Sequence, residues 1–464
     1  MRKTIPVLRT VALVMTSLIL WSSCKKAAPE IQLTEKNRWI LDSMKVYYYW
    51  NDQLPGSPSN QNSASVFFKS LLNTADRFSF ITDPDENREE YSSFAWYGFE
   101  YALLENQQNP GELLGTITLV VPGGPAEQQG LHRGDIFTAV NGTLLNKANT
   151  DNINRLLRTG DGLRLSMAAL TNGILKTGPV LTIAYLPYTE QPVYTTRIFS
   201  DGGKKAGYIF YNQFNGSYDL QLLEALGTMR RNGINELILD LRYNPGGDVS
   251  SAAKLAGALA NTRSDQTFVI YQANKNGGQR NSSFQNTMTE NAYQPQSFSE
   301  LLNYRLDLTR VIILTSGSTA SAAELLINNL RPYINVVQIG SKTMGKDMAS
   351  FAIKDFRTPK LINITLHPLV FKLYNAKEQG NYSDGLQPDY TVDEFAVLPL
   401  LPFGDPGDPL LKKALELAGI NISTIAMAQN KQSATNATLR VNKTFTSRRA
   451  PLLIETKKRV WAWK

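Results

Sequence analysis

Cysteine is all but absent from this chain: Cys24 is the one cysteine in 464 residues. A single thiol excludes an intramolecular disulfide and a cysteine-built zinc site. Its place in the N-terminal segment argues against a cysteine nucleophile. Histidine is nearly as scarce, with only His132 and His367. A Ser-His-Asp triad would have to recruit one of them from afar. No Walker-type loop, dinucleotide fingerprint or His-Glu-x-x-His helix is present, so no cofactor and no metal is called for. After the first two dozen residues, no apolar run reaches the ~20 residues that a spanning helix needs. Surplus charge is confined to one end. Residues 425–464 hold nine Lys/Arg and one Glu, which equals the net +8 of the whole chain. The remainder is therefore near neutral, and a global nucleic-acid reading has no support.

What the chain does have is a serine and a lysine in telling places. Ser321 lies in Thr315-Ser-Gly-Ser-Thr-Ala-Ser-Ala-Ala-Glu324, and Lys346 lies twenty-five residues on, in Gly340-Ser-Lys-Thr-Met-Gly-Lys-Asp347. The apolar, β-branched run Val311-Ile-Ile-Leu-Thr315 reads as a buried strand, and residues 322–330 as a helix. A serine at such a turn presents its hydroxyl at a helix N-terminus, where free N–H groups favour negative charge. A lysine can serve as its base, provided burial makes it neutral. Glu324 is one helical turn from Ser321 and can share its face. Asp347 is a potential conflict, because a carboxylate facing Lys346 would hold it protonated. Extended backbone would send the two side chains to opposite faces.

At ~150 residues per domain the chain has room for two to four domains. Residues 37–54 and 63–73 carry helical periodicity, with Ser63 as an N-cap. Residues 90–190 carry an ordered series of turn signals: Pro122-Gly-Gly-Pro-Ala126, then Gly130-Leu-His-Arg-Gly-Asp-Ile136, then Val140-Asn-Gly142. Residues 195–400 alternate strands and helices, which argues for a parallel or mixed sheet covered by helices. Within them, Asp240-Leu-Arg-Tyr-Asn-Pro-Gly-Gly247 ends a buried strand in a glycine turn. Residues 409–417 read as a last helix capped by Asp408.

These motifs together resemble the C-terminal processing (tail-specific) proteases. The family pattern is Gly-Ser-x-Ala-Ser-Ala-x-Glu, followed by a lysine twenty-five residues after the second serine. It aligns with Gly317 to Glu324 and Lys346, and the resemblance runs from about Trp39 to Asp393. It implies a multidomain α+β chain. A tether and N-terminal helical domain (25–89) precede a PDZ-like β-rich peptide-binding domain (90–190). A crotonase-like α/β serine protease domain (195–425) follows. It further implies Ser321 as nucleophile, Lys346 as base and Glu324 as the residue orienting them. An oxyanion hole would be made by the N–H of Ala322 and that of Gly246 or Gly247. Tyr97, Gly98, Phe99 and Glu100 fall where the peptide-carboxylate loop of such a PDZ module would lie. The chain departs from the family at two places: Asp347 replaces a glycine, and Ser350 replaces a glutamine. The implied partners are protein or peptide substrates with exposed C-termini. A catalytically inactive envelope PDZ docking protein on the same fold is the rival reading, motivated by those two departures. An acyl-CoA-type enzyme on a related fold would need neither the Ser-Lys pair nor the PDZ module.

Residues 1–24 read as a targeting segment. Arg2, Lys3 and Arg9 precede a short apolar run, and Leu20-Trp-Ser-Ser-Cys24 resembles a lipoprotein signal with Cys24 as the lipidated residue. The expectation is an exported, lipid-anchored bacterial envelope protein, at the periplasmic face of the outer membrane or the cell surface. Residues 426–464 form a basic tail expected to be poorly ordered, with its tryptophans and arginines able to touch anionic lipid.

Overall fold

The computed structural model describes residues 33–58, 63–84, 93–106, 109, 111–158, 162–171, 174–290, 292–421 and 441–447. Cys24 and the leader lie outside the described residues, as does most of the basic tail.

The chain first forms the helix Glu35–Tyr47, whose N-cap Thr34 accepts from the Asn37 N–H. Ile40, Leu41 and Met44 share its buried face. The helix ends before residue 54, earlier than its periodicity suggests. The Asn274 side-chain amide donates to the Val46 and Tyr48 carbonyls, which satisfies the last turn from outside. Residues Asn51–Gln53 make only a 3₁₀ turn. A second helix, Ala64–Ser70, is capped by Ser63 as the sequence suggests. Phe67 and Phe68 bury themselves in the same large core.

The β-rich domain that follows is a single antiparallel sheet. Its order is Val441–Thr446, Phe99–Asn106, Leu113–Val120, Ile136–Val140, Leu163–Thr171, Ile174–Ile183. Asn141 (φ 50°) and Gly142 (φ 79°) form the expected hairpin turn, pairing Val140 with Thr143. Gly130 (φ 81°) stops the short helix Pro125–Gln128. The first strand in this order corrects a sequence expectation. Residues 441–446 of the tail are not loose: they add to the edge of Phe99–Asn106.

The α/β domain has a six-stranded sheet, in the order Tyr390–Thr391, Asn335–Gly340, Arg310–Thr315, Glu236–Asp240, Lys204–Tyr211, Val193–Asp201. All neighbours are parallel except the last pair. The sheet is therefore mixed, as the strand–helix alternation suggests. Helices Asp219–Arg231, Val249–Leu259 and Ala322–Leu330 join the larger core, and Pro409–Leu417 packs with the other. Two of its loops form the site: the turn after Glu236–Asp240 and the turn after Arg310–Thr315, adjacent parallel strands whose C-terminal ends lie side by side. No helix among the described residues is long and apolar enough to cross a membrane.

Candidate active site

Ser321 is the N-cap of Ala322–Leu330, with φ 59° and ψ −117°. A side chain in that region of backbone space costs of order 1–3 kcal/mol, so the surroundings must hold it there. Thr319 Oγ1 donates to the Leu241 carbonyl (2.8 Å), the Ala320 N–H to the Asn244 carbonyl (3.0 Å), and Ser316 Oγ to the Arg242 carbonyl. These bonds tie the serine turn to the glycine turn of the neighbouring strand. Gly246 then fits against the serine with no space to spare. A Cβ on Gly246 would stand 2.5 Å from the Ser321 Cβ and 2.8 Å from the Ala322 nitrogen.

Glu324 organises the other half. Its Oε1 accepts from Thr343 Oγ1 (2.5 Å) and the Gly345 N–H (2.7 Å). Its Oε2 accepts from the N–H groups of both Ser321 (2.9 Å) and Lys346 (2.8 Å). Two bonds to one oxygen place the amide nitrogens of Ser321 and Lys346 at most about 5.7 Å apart. Burial raises the pKa of this carboxyl above its ordinary value, and the four donors pull against that rise. The loop carrying Lys346 is also held by the Met344 N–H on the Thr319 carbonyl (3.0 Å). Arg77 holds the loop from the N-terminal segment, donating to the carbonyls of Gly345 (2.9 Å) and Ser383 (2.6 Å).

Lys346 is 1% exposed. Burial lowers its pKa from 10.5 to about 8, against the opposing charges of Glu324 and Asp76. Its Nζ lies 5.6 Å from the Phe78 ring centre. Asp347 turns the other way. Its carboxylate pairs with Lys372 (3.7 Å), and burial raises its pKa. Asp347 is not among the groups that shift Lys346. The expected conflict between consecutive side chains does not arise, because the Asp347 carboxylate is engaged by Lys372. Ser350 is buried, and its Oγ makes no hydrogen bond among the described residues.

The two glycines differ in what their amides do. The Gly246 N–H donates to Asn244 Oδ1 (2.9 Å). The Gly247 N–H has no such partner among the described residues. Its neighbours instead form the ladder, with the Phe214 N–H donating to the Gly246 carbonyl and the Asp248 N–H to the Phe214 carbonyl. Ala322, as the first helical residue, also has an N–H without an intrahelical acceptor.

The sequence-derived residues Ser321, Ala322, Glu324, Lys346, Gly246 and Gly247 therefore converge on one place. Tyr97, Gly98, Phe99 and Glu100 lie apart from it, where the helix Ser93–Tyr97 turns into the strand Phe99–Asn106. Their loop is more occupied than expected: the Gly98 N–H closes the preceding helix on the Phe94 carbonyl (2.9 Å). Neither histidine fits a triad. His132 is exposed beside Asp135. His367 stacks on Phe80 at 4.4 Å, and among the described residues its Nδ1 has no hydrogen-bond partner, so none of their carboxylates orients it there. Burial, with the charges of Lys354 and Lys346, lowers its pKa to about 4. Among the described residues, no group of three or more His, Cys, Asp or Glu is placed to hold a metal.

Three participants were not singled out from the sequence as site residues: Asp76 and Phe78 beside Lys346, and Asn244 on Gly246. The glycine turn is further joined to the β-rich domain by buried charge. Arg133 pairs with Glu394 (2.7 Å), which also accepts from Tyr243 Oη (2.7 Å), while Arg242 makes a two-pronged contact with Asp408 (2.9 Å each).

Comparison with known proteins agrees with this architecture. Residues 35–80 match the peptidase S41 N-terminal domain, 116–168 the PDZ domain and 205–392 peptidase family S41. A carboxyl-terminal-processing protease of Picosynechococcus is 27% identical over 247 residues, covering 53% of this chain and 54% of that protein. One of Synechocystis is 25% identical over 298 residues, covering 64% and 62%. The chain thus spans little more than half the length of these relatives. A solved structure from Bacteroides fragilis, assigned to the S41 proteases, is 29% identical with a TM-score of 0.67, covering 83% of this chain and 97% of that one. The chain belongs to peptidase family S41, with the family's N-terminal domain and a PDZ domain.

Proposed function

We propose that this protein is a serine endopeptidase that captures substrate C-termini through its PDZ domain and cleaves peptide bonds with a Ser321–Lys346 dyad. The observation that carries the reading is that a serine held at φ 59° and a buried lysine, whose pKa burial lowers to about 8, both donate their backbone N–H to Glu324. A neutral lysine can accept a proton; a solvated one at neutral pH cannot do so effectively.

In the proposed reaction, Lys346 takes the Ser321 proton as Oγ attacks the peptide carbonyl carbon. The carbonyl oxygen becomes an oxyanion that accepts from the N–H of Ala322 and of Gly247, the glycine whose donor is not already spent on Asn244. Collapse breaks the C–N bond, and Lys346 gives its proton to the leaving amine. Water, deprotonated by the same lysine, then resolves the acyl-enzyme. Glu324 is a positioning residue, acting through the backbone of Ser321 and Lys346. The reading calls for no cofactor.

Asp347 and Ser350 motivate the docking-protein rival. The pairing of Asp347 with Lys372 removes the main objection to a neutral Lys346. The leader supports a further part of the proposal: export, and anchoring to the bacterial envelope through a lipid on Cys24. Radiolabelled palmitate incorporation, lost in Cys24→Ser, checks it.

The test of the chemistry is the pH dependence of cleavage of an unstructured protein. kcat/KM should rise with pH through about 8 and be absent in Ser321→Ala. A profile governed by a group near pH 6, or activity surviving Ser321→Ala, would overturn the assignment.

A further inference from the structure

The tail strand lies on the edge that the proposed function gives to substrates. Val441–Thr446 runs antiparallel to Phe99–Asn106, with Ala102 opposite Thr446, Leu103 opposite Phe445 and Asn106 opposite Val441. Ser447 extends the pairing by one residue. Its N–H donates to the Tyr101 carbonyl (2.8 Å), and its Oγ accepts from the Tyr101 N–H (2.7 Å). Thr444 Oγ1 donates to the Leu103 carbonyl (3.0 Å). A peptide adding to this edge as a strand would need the same backbone groups. The polarity also matches, since the segment runs toward the Tyr97–Glu100 turn, where a substrate's carboxyl end would arrive.

Side chains fix the segment on both faces. Phe445 packs against the PDZ core, its ring 5.8 Å from that of Tyr101. Tyr101 is in turn tied to the flanking helix Thr150–Arg158 through its hydroxyl, which donates to Asn154 (2.8 Å). On the opposite face, Lys443 Nζ sits 5.2 Å from the Phe395 ring centre of the protease domain. Hydrogen bonds, an aromatic seat and a cation–π contact make this a specific occupant of the edge rather than a passing strand.

We propose that residues 441–447 are an internal ligand of the PDZ peptide edge, which a substrate tail must displace. The segment's own pattern describes the preferred substrate: an extended peptide with an aromatic side chain where Phe445 sits over Tyr101. This inference rests on the PDZ domain being the peptide-capturing module. The segment is tethered to the domain it covers, so its effective concentration is of order mM and it competes with free peptides. An edge that is open one-tenth of the time binds an outside peptide about tenfold more weakly than a bare one.

The test uses the full chain with Ser321→Ala, which prevents turnover, and a fluorescent peptide of sequence Val-Asn-Lys-Thr-Phe-Thr-Ser. Phe445→Asp should bind the peptide about tenfold more tightly than its parent. Replacing phenylalanine by alanine in the peptide should weaken binding. A second variant, Ala102→Cys with Thr446→Cys in a Cys24→Ser background, joins two residues that face each other across the ladder. Oxidation should abolish peptide binding and reductant should restore it, within one folded protein. Equal affinity of Phe445→Asp and its parent, or equal binding by the oxidised and reduced lock, would overturn the inference. With Ser321 restored, tail-dependent binding without cleavage would uphold the internal ligand and defeat the peptidase reading. Cleavage with binding indifferent to the tail would do the reverse.

Discussion

Replacing Lys346 by methionine should inactivate the protein and at the same time stabilise it. Methionine matches the side chain as far as Cε and removes the charge that burial penalises. The pKa of Lys346 falls from 10.5 to about 8 in the folded chain. At 1.36 kcal/mol per pH unit, that corresponds to about 3 kcal/mol at pH 7. The sign follows from proton counting. Between pH 8 and 10.5 the unfolded chain holds a proton that the native chain has released, so native stability rises with pH in that window. Below pH 8 both states are protonated, and the native state bears the full cost of a buried ammonium. Lys346→Met does not bear it. Urea unfolding at pH 7 should show the variant more stable by about 3 kcal/mol, with the gap narrowing by about half at pH 9.5. A gap that does not change with pH, or a variant less stable at pH 7, would refute the claim that burial sets the charge of this lysine.

Three other perturbations probe the surrounding geometry. Gly246→Ala would place a Cβ 2.5 Å from that of Ser321 at φ 101°, so cleavage should fall by more than about 100-fold, measured as kcat/KM. Asp347→Asn should leave the pH midpoint of cleavage where it is, because Asp347 faces Lys372 and not Lys346; a shift in the midpoint would show otherwise. Arg133→Met removes a buried partner of Glu394, whose carboxyl burial works to raise and Arg133 and Arg242 together hold below its ordinary pKa. Thermal and urea unfolding should reveal a loss of about 3–5 kcal/mol.

The parts of the site carried by local sequence are legible in the chain itself. A β-branched run, a serine and a helix-forming stretch define the strand-to-helix turn at Ser321, and the helix begins and ends at residues 322 and 330 as its composition suggests. Glu324 follows from the same periodicity, since it is one turn away. The Asp347 conflict is also visible in the sequence as a question, and its answer, the contact with Lys372, comes from a distant strand. What the sequence does not display are contacts between distant segments. Asp76 and Phe78 reach Lys346 from about 270 positions away, and nothing in their own neighbourhood marks them for that role. The choice between Gly246 and Gly247 turns on one side-chain amide, that of Asn244, whose direction depends on the fold of the turn. The tail strand is hidden for another reason. Its β-branched and aromatic residues sit within a strongly basic stretch, and the charge masks a pattern suited to an edge strand.

The most direct measurement is single-turnover cleavage of an unstructured protein carrying an apolar C-terminus, offered with that terminus free or amidated, to the parent and to Ser321→Ala. The account predicts cleavage by the parent alone, slowed when the terminus is amidated. Equal cleavage of both substrates would contradict tail capture, and cleavage by Ser321→Ala, or by neither protein, would contradict the serine peptidase itself.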